Sequence, residues 1–525
     1  MAFPLRLALL FALFLSTAPV FATNVLTYHN DNQRTGQNLE ETSLTTANVN
    51  QATFGKLFTL SVDGVIDAEP LYLSAVTIPG QGTHNVVYTV TENDTVYAFD
   101  ADTGASLWHV SVLGSGETPS DTHSCGQITP EIGITSTPVI DLKTGPHGTI
   151  YVVAMSKNSS NYFQRIHALD VTTGQEEFGG PTTVQASYPG TGDNSQNGSV
   201  IFDPHRYAER QGLLLLNGVI YTAWTSHCDQ RPYTGWLIGY SATTLAQKSV
   251  LNLTPNGNEG AVWQSGAGMA ASGGNIFLLD GNGTFDTTLN ASGFPINGDY
   301  GNTFLKIATT SNKLAVADYF AMSNIVSESN MDQDLGSGGA LVVPPQPDSQ
   351  KILHHLAIGA GKDGNIYVVD TTNMGKFNPS NDSAIYQEID GVLGGGIWSM
   401  PAYFNRNVYF GPQGGNLLQF RFTQAKLSTA PLSQSAASFT YPGSTPSVSA
   451  NHGKSGIVWA IEHSNPSVLH AYDAANLATE LYNSNQAANS RDQFGSASHF
   501  GTPMIVNGRV YVGTTNGVAV FGLLP

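Results

Sequence analysis

The sequence has little cysteine, little charge and no long apolar run in its main part. Cysteine occurs twice in 525 residues, and charged residues amount to 11%. No GxSxG, HExxH or CxxC motif is present, and without CxxCH there is no site for covalently attached c-type haem. After Ala22, no apolar stretch approaches the roughly 18 residues of a transmembrane helix. We therefore expect no haem and no membrane insertion.

Positive charge is scarce as well. The chain has 21 Lys and Arg against 39 Asp and Glu, which gives a formal net charge of −18 at pH 7. This charge disfavours phosphate backbones and anionic lipid surfaces, so nucleic acid and membrane are not expected as partners. Glycine is abundant, with 56 residues, and indicates many tight turns.

The N-terminal segment has the composition of a cleaved signal peptide. Arg6 supplies a positive start, residues 7–15 form an apolar run, and Val-Phe-Ala at 20–22 suits a cleavage site. The residue directly after Ala22 is not cysteine, so a lipoprotein anchor is not expected. The pattern predicts removal of 1–22 and export of 23–525 as a soluble protein, secreted or periplasmic.

Residues 86–112 show the unit that the rest of the chain repeats. Their sequence, VVYTVTENDTVYAFDADTGASLWHVSV, alternates apolar and polar residues in three runs separated by two turns. Val, Tyr, Phe and Trp favour half-buried strands, and Asp, Asn and Gly favour turns. The second turn has the form Asp-x-x-Thr-Gly, at 100–104 and again at 170–174, and Trp108 follows the first of them.

This strand–turn–strand unit occurs eight times, and an earlier strand opened by proline precedes many of the copies. Four strands per unit with no helix between units predict an all-β fold, namely a single eight-bladed β-propeller of four-stranded antiparallel blades. The eighth unit stops after its third strand, and the strand-like residues 54–62 are predicted to supply the fourth, which closes the ring. The recognisable units lie at 68–112, 135–174, 219–241, 275–308, 354–370, 399–422, 444–473 and 501–522.

The repeat, with its YAFD-ADTG-ASLW sequence, resembles that of β-propellers of the pyrroloquinoline quinone (PQQ) type. The strings PEIGITSTPVID, GNGTFD and GAGKDGNIYVVD resemble those of a group of secreted proteins in the same superfamily. The resemblance covers nearly the whole mature chain and implies the propeller fold. It leaves the function open, because the superfamily contains both dehydrogenases and scaffolds.

The resemblance makes PQQ and Ca²⁺ the candidate cofactors, and the sequence itself assigns no cofactor. PQQ is a flat tricarboxylate, and the catalytic members hold it with cationic or amide donors, an aromatic floor and Ca²⁺ bound by acidic ligands. Many of them place a disulfide between adjacent cysteines over the ring, and this sequence has no adjacent pair. No motif assigns the residues of such a site, but five could contribute to it: Arg206, Arg231, Lys362, Trp236 and Trp398.

Cys125 and Cys228 are expected to form a disulfide, because an exported chain folds in an oxidising compartment; two buried thiols are the alternative. Both lie in long connections. These connections, with 280–302 and 320–340, emerge on the propeller face that carries the turns between second and third strands and the links between blades. We call it the long-loop face, and we expect a binding site there.

The two cysteine loops carry most of the candidate site residues. A disulfide would bring their acidic, imidazole and aromatic groups together, a mixture that suits a pocket; capping of turns and packing of loops is the alternative interpretation. The candidate acid/base or metal-binding residues are Glu131, His227 and Asp229. The candidate ligand-binding residues are Tyr233, Trp236, Arg231 and Trp398.

Residues 328–339, ESNMDQDLGSGG, carry oxygen-bearing side chains at every second position. Asn330, Asp332 and Asp334 are therefore candidate Ca²⁺ ligands, although the glycine that follows misses the EF-hand spacing by one residue. An acidic turn before a strand is the alternative.

Three functions fit the sequence. The favoured one is an exported binding or scaffold propeller, a monomer that recognises a polymer, sugar or protein on the long-loop face. The second is a periplasmic PQQ-dependent oxidoreductase of alcohols or sugars. The third is a carbohydrate-cleaving propeller with paired carboxylates such as Glu131 and Asp229.

Overall fold

The computed structural model describes residues 23–159, 161–310 and 313–525; the expected signal peptide lies outside them. The predicted all-β propeller is confirmed, because these residues form eight sheets of four or five strands. The α-helix Ile325–Asn330 and the 3-10 turns Gln264–Gly266, Leu335–Ser337 and Ala488–Ser490 are short. No helix in the described ranges has the length and apolar content needed to cross a membrane.

The sheets are numbered 1 to 8 along the chain, and their strands are given from the first to the fourth. Sheet 1 contains Leu71–Ile78, Gly82–Val90, Thr95–Asp100 and Ser106–Ser111. Sheet 2 contains Val139–Asp141, Thr149–Asn158, Asn161–Asp170 and Thr182–Thr183, with Thr118–Pro119 added. Sheet 3 contains Tyr207–Glu209 and Leu214–Leu216, Val219–Ser226, Trp236–Ser241 and Gln247–Asn252. Sheet 4 contains Ala270–Ser272, Asn275–Leu279, Phe304–Ala308 and Ala315–Ala321, with Lys376–Phe377 added in parallel.

The remaining sheets follow the same order. Sheet 5 contains Leu341–Val342, Leu356–Gly359, Ile366–Asp370 and Gln387–Ile389. Sheet 6 contains Ala402–Phe404, Asn407–Phe410, Gly415–Thr423 and Ser433–Phe439, with Lys426–Leu427 added. Sheet 7 contains Ser447–Asn451, Lys454–Glu462, Val468–Asp473 and Glu480–Asn483, with Gln37–Asn38 added in parallel. Sheet 8 contains Met504–Val506, Arg509–Gly513, Gly517–Leu523 and Phe54–Ser61. Two small sheets lie in connections: Ser187–Pro189, Ser195–Gln196 and Ser199–Ile201, and Gln346–Pro347 with Leu353–His354.

The Asp-x-x-Thr-Gly turn and the tryptophan after it join one sheet to the next. In sheet 1, the Asp100 carboxylate accepts hydrogen bonds from the Thr103 backbone N–H at 2.7 Å and from the Thr103 hydroxyl at 2.9 Å. Trp108 then packs on the corresponding turn of sheet 2, where its indole N–H donates to the Val171 carbonyl at 3.2 Å. A Cβ at Gly174 would lie 2.8 Å from the Trp108 ring, so this turn requires glycine.

Apolar side chains fill the space between each sheet and the next. Seven buried clusters connect the consecutive sheets from 1 through 8 and return from sheet 8 to sheet 1. In the last contact, Val520 of sheet 8 shares a cluster with Leu71 of sheet 1. The sheets therefore form a closed ring, held together mainly by burial of apolar surface.

The ends of the chain meet in sheet 8. Phe54–Ser61 pairs antiparallel with Gly517–Leu523, from Phe54 opposite Leu523 to Ser61 opposite Gly517. The ring of Phe58 lies 3.0 Å from the position that a Cβ at Gly104 would take, as the ring of Trp108 does at the next turn. The N-terminal strand thus makes the same contact between sheets as the repeats inside the chain.

Candidate functional site

A cavity of about 360 Å³ lies on the long-loop face. Its walls come from links between consecutive sheets, from the link after sheet 1 to the link before sheet 7. Turns between the second and third strands of sheets 3, 4 and 5 complete them. The volume suits a small molecule or one end of a polymer. The aromatic lining residues are Tyr233, Trp263, Trp398 and Tyr441, and the charged or amide ones are Gln127, Asp229, Asn282, Asp332, Asp334 and Lys362.

A disulfide between Cys125 and Cys228 forms part of the cavity wall, which confirms the predicted pairing. It joins two loops that are 103 residues apart in sequence, with 5.5 Å between the two Cα atoms. The backbone of Cys228 and of the next residue, Asp229, has φ of 49° and 54°. Such left-handed φ values are uncommon for residues other than glycine and persist where the surrounding structure fixes them.

Three histidines stack beside the disulfide. The rings of His123 and His227 are nearly parallel, with centroids 4.0 Å apart, and His205 packs on His123 at 4.9 Å. Burial lowers the pKa of His123 to about 4 and that of His227 to about 3, and the neighbouring imidazoles contribute. His227 lines the cavity, is 5% exposed, and its buried Nε2 has no hydrogen-bond partner in the described residues.

One lysine and two carboxylates form another polar part of the cavity wall. The Lys362 ammonium lies 2.8 Å from Asp334 Oδ1 and also pairs closely with Asp332, which in turn accepts a hydrogen bond from the Asn282 amide at 2.6 Å. Burial raises the pKa of Asp334, and Lys362 partly offsets that effect. Burial alone would lower the pKa of Lys362, but Asp334 and Asp332 outweigh it and raise that pKa.

Asp229 is held at the rim of the cavity by two hydroxyl groups. The phenol of Tyr233 donates to Asp229 Oδ1 at 2.7 Å, and the hydroxyl of Ser226 donates to the same oxygen at 3.1 Å. The Tyr233 ring itself is buried. Asp229 therefore has a fixed orientation, with its second oxygen available to a ligand.

Aromatic rings form a continuous wall across the cavity. Trp398 packs edge-to-face on Tyr441 at 5.6 Å, Tyr441 on Phe500 at 6.2 Å, and Phe500 on Trp263 at 5.1 Å. The Tyr441 hydroxyl donates to Gln127 Oε1 at 2.9 Å, which fixes the ring against the first cysteine loop. These four aromatic residues lie in links between sheets, far apart in sequence.

Three of the predicted site residues lie away from the cavity lining. Trp236 is fully buried between sheets 2 and 3, where its indole N–H donates to the Tyr207 hydroxyl, so it cannot contact a ligand as expected. Arg231 is half exposed and pairs with Asp193 at 2.8 Å outside the cavity. Glu131 is half-buried and does not line the cavity beside His227 and Asp229; burial and the charge of Asp63 raise its pKa.

The acidic run does not form the expected Ca²⁺ loop. Glu328 and Asn330 belong to a helical turn, and only Asp332 and Asp334 reach the cavity, where Lys362 already pairs with both. Within the described ranges, no three His, Cys, Asp or Glu side chains are arranged to hold a metal ion. The period-two pattern was misleading because the segment is not extended at its start.

Comparison with known proteins identifies the fold. No protein-family model matches the chain, and no curated protein sequence matches it. Among solved structures, it is similar to quinohaemoprotein alcohol dehydrogenases from Pseudomonas putida HK5 and Comamonas testosteroni, each with a TM-score of 0.61 over 95% of this chain and 80% of the other, at 12% and 14% identity. A europium-containing methanol dehydrogenase gives a TM-score of 0.59 at 12% identity over 95% of this chain and 98% of that one.

Proposed function

We propose that this chain is an exported binding module that holds its ligand in the cavity of the long-loop face. The observation that carries the proposal is the composition of the cavity, whose lining contains four aromatic residues, three carboxylates, two amides, an imidazole and one ammonium. Rings supply flat apolar area, and fixed polar groups supply orientation and specificity. The predicted signal peptide and the disulfide support export to an oxidising compartment.

Binding to an array of neutral, cationic and anionic oligosaccharides tests this proposal. Trp398→Ala should weaken binding of a retained glycan at least about tenfold, or roughly 1.4 kcal/mol, with little change in melting temperature. Arg421→Gln, at the second cavity formed by turns of sheets 6 and 7, is the matched control and should leave binding unchanged. A glycan that Trp398→Ala leaves bound and Arg421→Gln releases would overturn the proposed site.

A PQQ-dependent oxidoreductase is the second candidate, because the solved structures of similar fold are a methanol dehydrogenase and two quinohaemoprotein alcohol dehydrogenases. The lining residues do not fit the cofactor. A tricarboxylate needs cationic donors, whereas Lys362 is the one Lys or Arg in the described lining and both Asp332 and Asp334 already neutralise it. Addition of PQQ and Ca²⁺ should give no quinone absorbance on the protein and no dye-linked alcohol oxidation.

Carbohydrate cleavage is supported less than binding. The paired carboxylates expected for it were Glu131 and Asp229, and Glu131 does not line the cavity. Product analysis after incubation with any retained glycan should therefore return the glycan uncleaved. Release of shorter sugars, lost in Asp229→Asn, would replace the binding proposal by a hydrolytic one.

A further inference from the structure

The cavity has more hydrogen-bond acceptors than donors among its charged groups. Three carboxylates, those of Asp229, Asp332 and Asp334, line it together with one ammonium, that of Lys362. The lining therefore carries a formal surplus of two negative charges. Of the three, Asp334 is buried and paired with Lys362, whereas Asp229 and Asp332 are exposed to the cavity mouth and solvent. A surplus of carboxylates favours a ligand that brings positive charge or several N–H and O–H donors.

Lys362 is not available to an anionic ligand. Its ammonium contacts Asp332 and lies 2.8 Å from Asp334, whose side chain is 6% exposed. Breaking this pair to bind a carboxylate or phosphate would leave Asp334 as an uncompensated buried charge. The cation inside the cavity thus serves to hold two carboxylates in place.

His227 adds a polar group that is independent of the acidic residues. Its ring is 5% exposed, lines the cavity, and leaves Nε2 without a partner. Burial holds the ring neutral at pH 7, since its pKa is lowered to about 3, and the Tyr207 carbonyl is the hydrogen-bonding group near the ring. A buried polar atom without a partner is costly unless a ligand or water supplies the missing hydrogen bond.

The aromatic wall suits the same kind of ligand. Trp263, Trp398 and Tyr441 line the cavity together with these polar groups, and Phe500 makes edge-to-face contacts with Trp263 and Tyr441. The face of an aromatic ring attracts an ammonium group, and its area packs on the carbon frame that carries the ammonium. Carboxylates and rings together are a combination that selects organic cations over anions and over neutral molecules.

We propose that the cavity binds a protonated amine carried on a carbon frame, of the class of amino sugars and alkyl polyamines. The inference rests on the proposed binding function and names the ligand class for the same site. The ammonium is expected to contact the carboxylates and the aromatic rings of the lining. Neutral N-acetyl sugars and uronic acids should be rejected.

Calorimetric titration of the mature protein tests the inference. The three matched probes are oligomers of the same length of glucosamine, N-acetylglucosamine and galacturonic acid. Spermidine is added as a fourth probe, a cation without a sugar frame. Glucosamine oligomers should bind at least about tenfold more tightly than the acetylated ones, and less tightly as salt is added. Spermidine binding equal to glucosamine would assign recognition to the ammonium alone; much weaker spermidine binding would assign part of it to the sugar frame.

Two variants should move amine binding in opposite directions. Asp332→Asn removes one exposed carboxylate and should weaken it about tenfold, whereas Lys362→Gln removes the competing ammonium and should strengthen it. Asp102→Asn, on the opposite face, is the control and should have no effect. Thermal melting checks that each variant is folded.

The possible failures are distinguishable. Equal binding of acetylated and free-amine oligomers, abolished by Trp398→Ala, would overturn the amine inference and leave the binding cavity in place. Amine binding that Trp398→Ala and Asp332→Asn leave unchanged would overturn both. No binding of glucosamine oligomers or spermidine at millimolar concentration would also overturn the inference.

Discussion

At the scale of single residues, Gly174 shows why the repeated turn contains glycine. Its φ is 70°, and the Trp108 ring occupies the place of a side chain. Gly174→Ala should therefore add an overpacking cost of about 1–3 kcal/mol to the backbone cost of about 1 kcal/mol. Gly218→Ala is the matched control, because Gly218 has a φ of 76° and open space around it. Urea unfolding measures both; equal losses would show that the Trp108 contact is unimportant.

The ion pair of Glu117 and Arg165 makes stability depend on pH. Two short contacts, 2.6 and 2.8 Å, join the two side chains, and the Arg165 hydrogen bonds lower the pKa of Glu117 to about 2. The folded state therefore favours the ionised form of Glu117 more than the unfolded state does, in which the pKa is about 4.5. The stabilisation is complete above that pH and disappears as the pH falls towards 2.

Glu117→Gln tests this dependence. It should cost about 1–3 kcal/mol at pH 7, and its stability should approach that of the wild type near pH 2. Urea unfolding at several pH values measures the difference, and Glu40→Gln at an exposed position serves as control. A constant difference between the two proteins from pH 7 to pH 2 would contradict the ionic origin.

Sequence reasoning found some cavity residues and missed others for identifiable reasons. His227, Asp229, Tyr233 and Trp398 lie at the cavity because loops beside a disulfide and links between blades share one face. Trp236 could not be distinguished from them by residue type. It is buried between sheets because it is the first residue of a strand. Trp263, Tyr441 and Phe500 were not found, because their contacts join links that are far apart in the chain.

At the scale of elements, the strand Phe54–Ser61 closes the ring through Phe58. Its ring is half-buried against the Gly104 turn, and the Arg509 guanidinium lies 5.4 Å from the ring centroid. Phe58→Ala should destabilise the protein by about 2 kcal/mol, less than the 3–5 kcal/mol typical of a fully buried phenylalanine. Thr59→Ala, exposed on the same strand, should change little. Unchanged thermal melting of Phe58→Ala would contradict the contact.

The contribution of the Cys125–Cys228 disulfide to the free energy of unfolding can also be measured. Replacing Cys125 and Cys228 together by serine should lower the free energy of unfolding by roughly 2–4 kcal/mol, because the bond restrains a long loop in the unfolded chain. Equilibrium unfolding without reductant measures this loss, and wild-type protein treated with reductant should behave like the double variant. A double variant as stable as the oxidised protein would contradict the prediction.

Secondary structure was predictable where the repeat was regular. Alternating apolar residues and Asp/Gly turns marked the inner strands of all eight sheets, since each repeat supplies the same local signals. The two-residue strands Gln37–Asn38 and Lys376–Phe377 carried no such signal, because they pair in parallel with distant strands. The helix Ile325–Asn330 is too short to show a period of 3.6 residues.

At the scale of the whole molecule, the fold followed from repetition and the function did not. Every sheet packs on two neighbours in the same way, so one well-understood unit determines the architecture. The cavity, in contrast, depends on insertions that differ from unit to unit and meet only in the closed ring. The architecture is shared with the named dehydrogenases, and a shared architecture does not determine function.

Because the two ends of the chain share sheet 8, this sheet cannot form until synthesis of the chain is complete. Phe54–Ser61 leaves the ribosome early, and its partner Gly517–Leu523 follows roughly 450 residues later. At about 5–20 residues per second, the first strand waits roughly 20–90 seconds with an open edge and apolar side chains in contact with solvent. During that interval the chain is exposed to wrong pairing with other nascent strands. Export in the unfolded state would postpone the whole assembly until both ends are on the same side of the membrane.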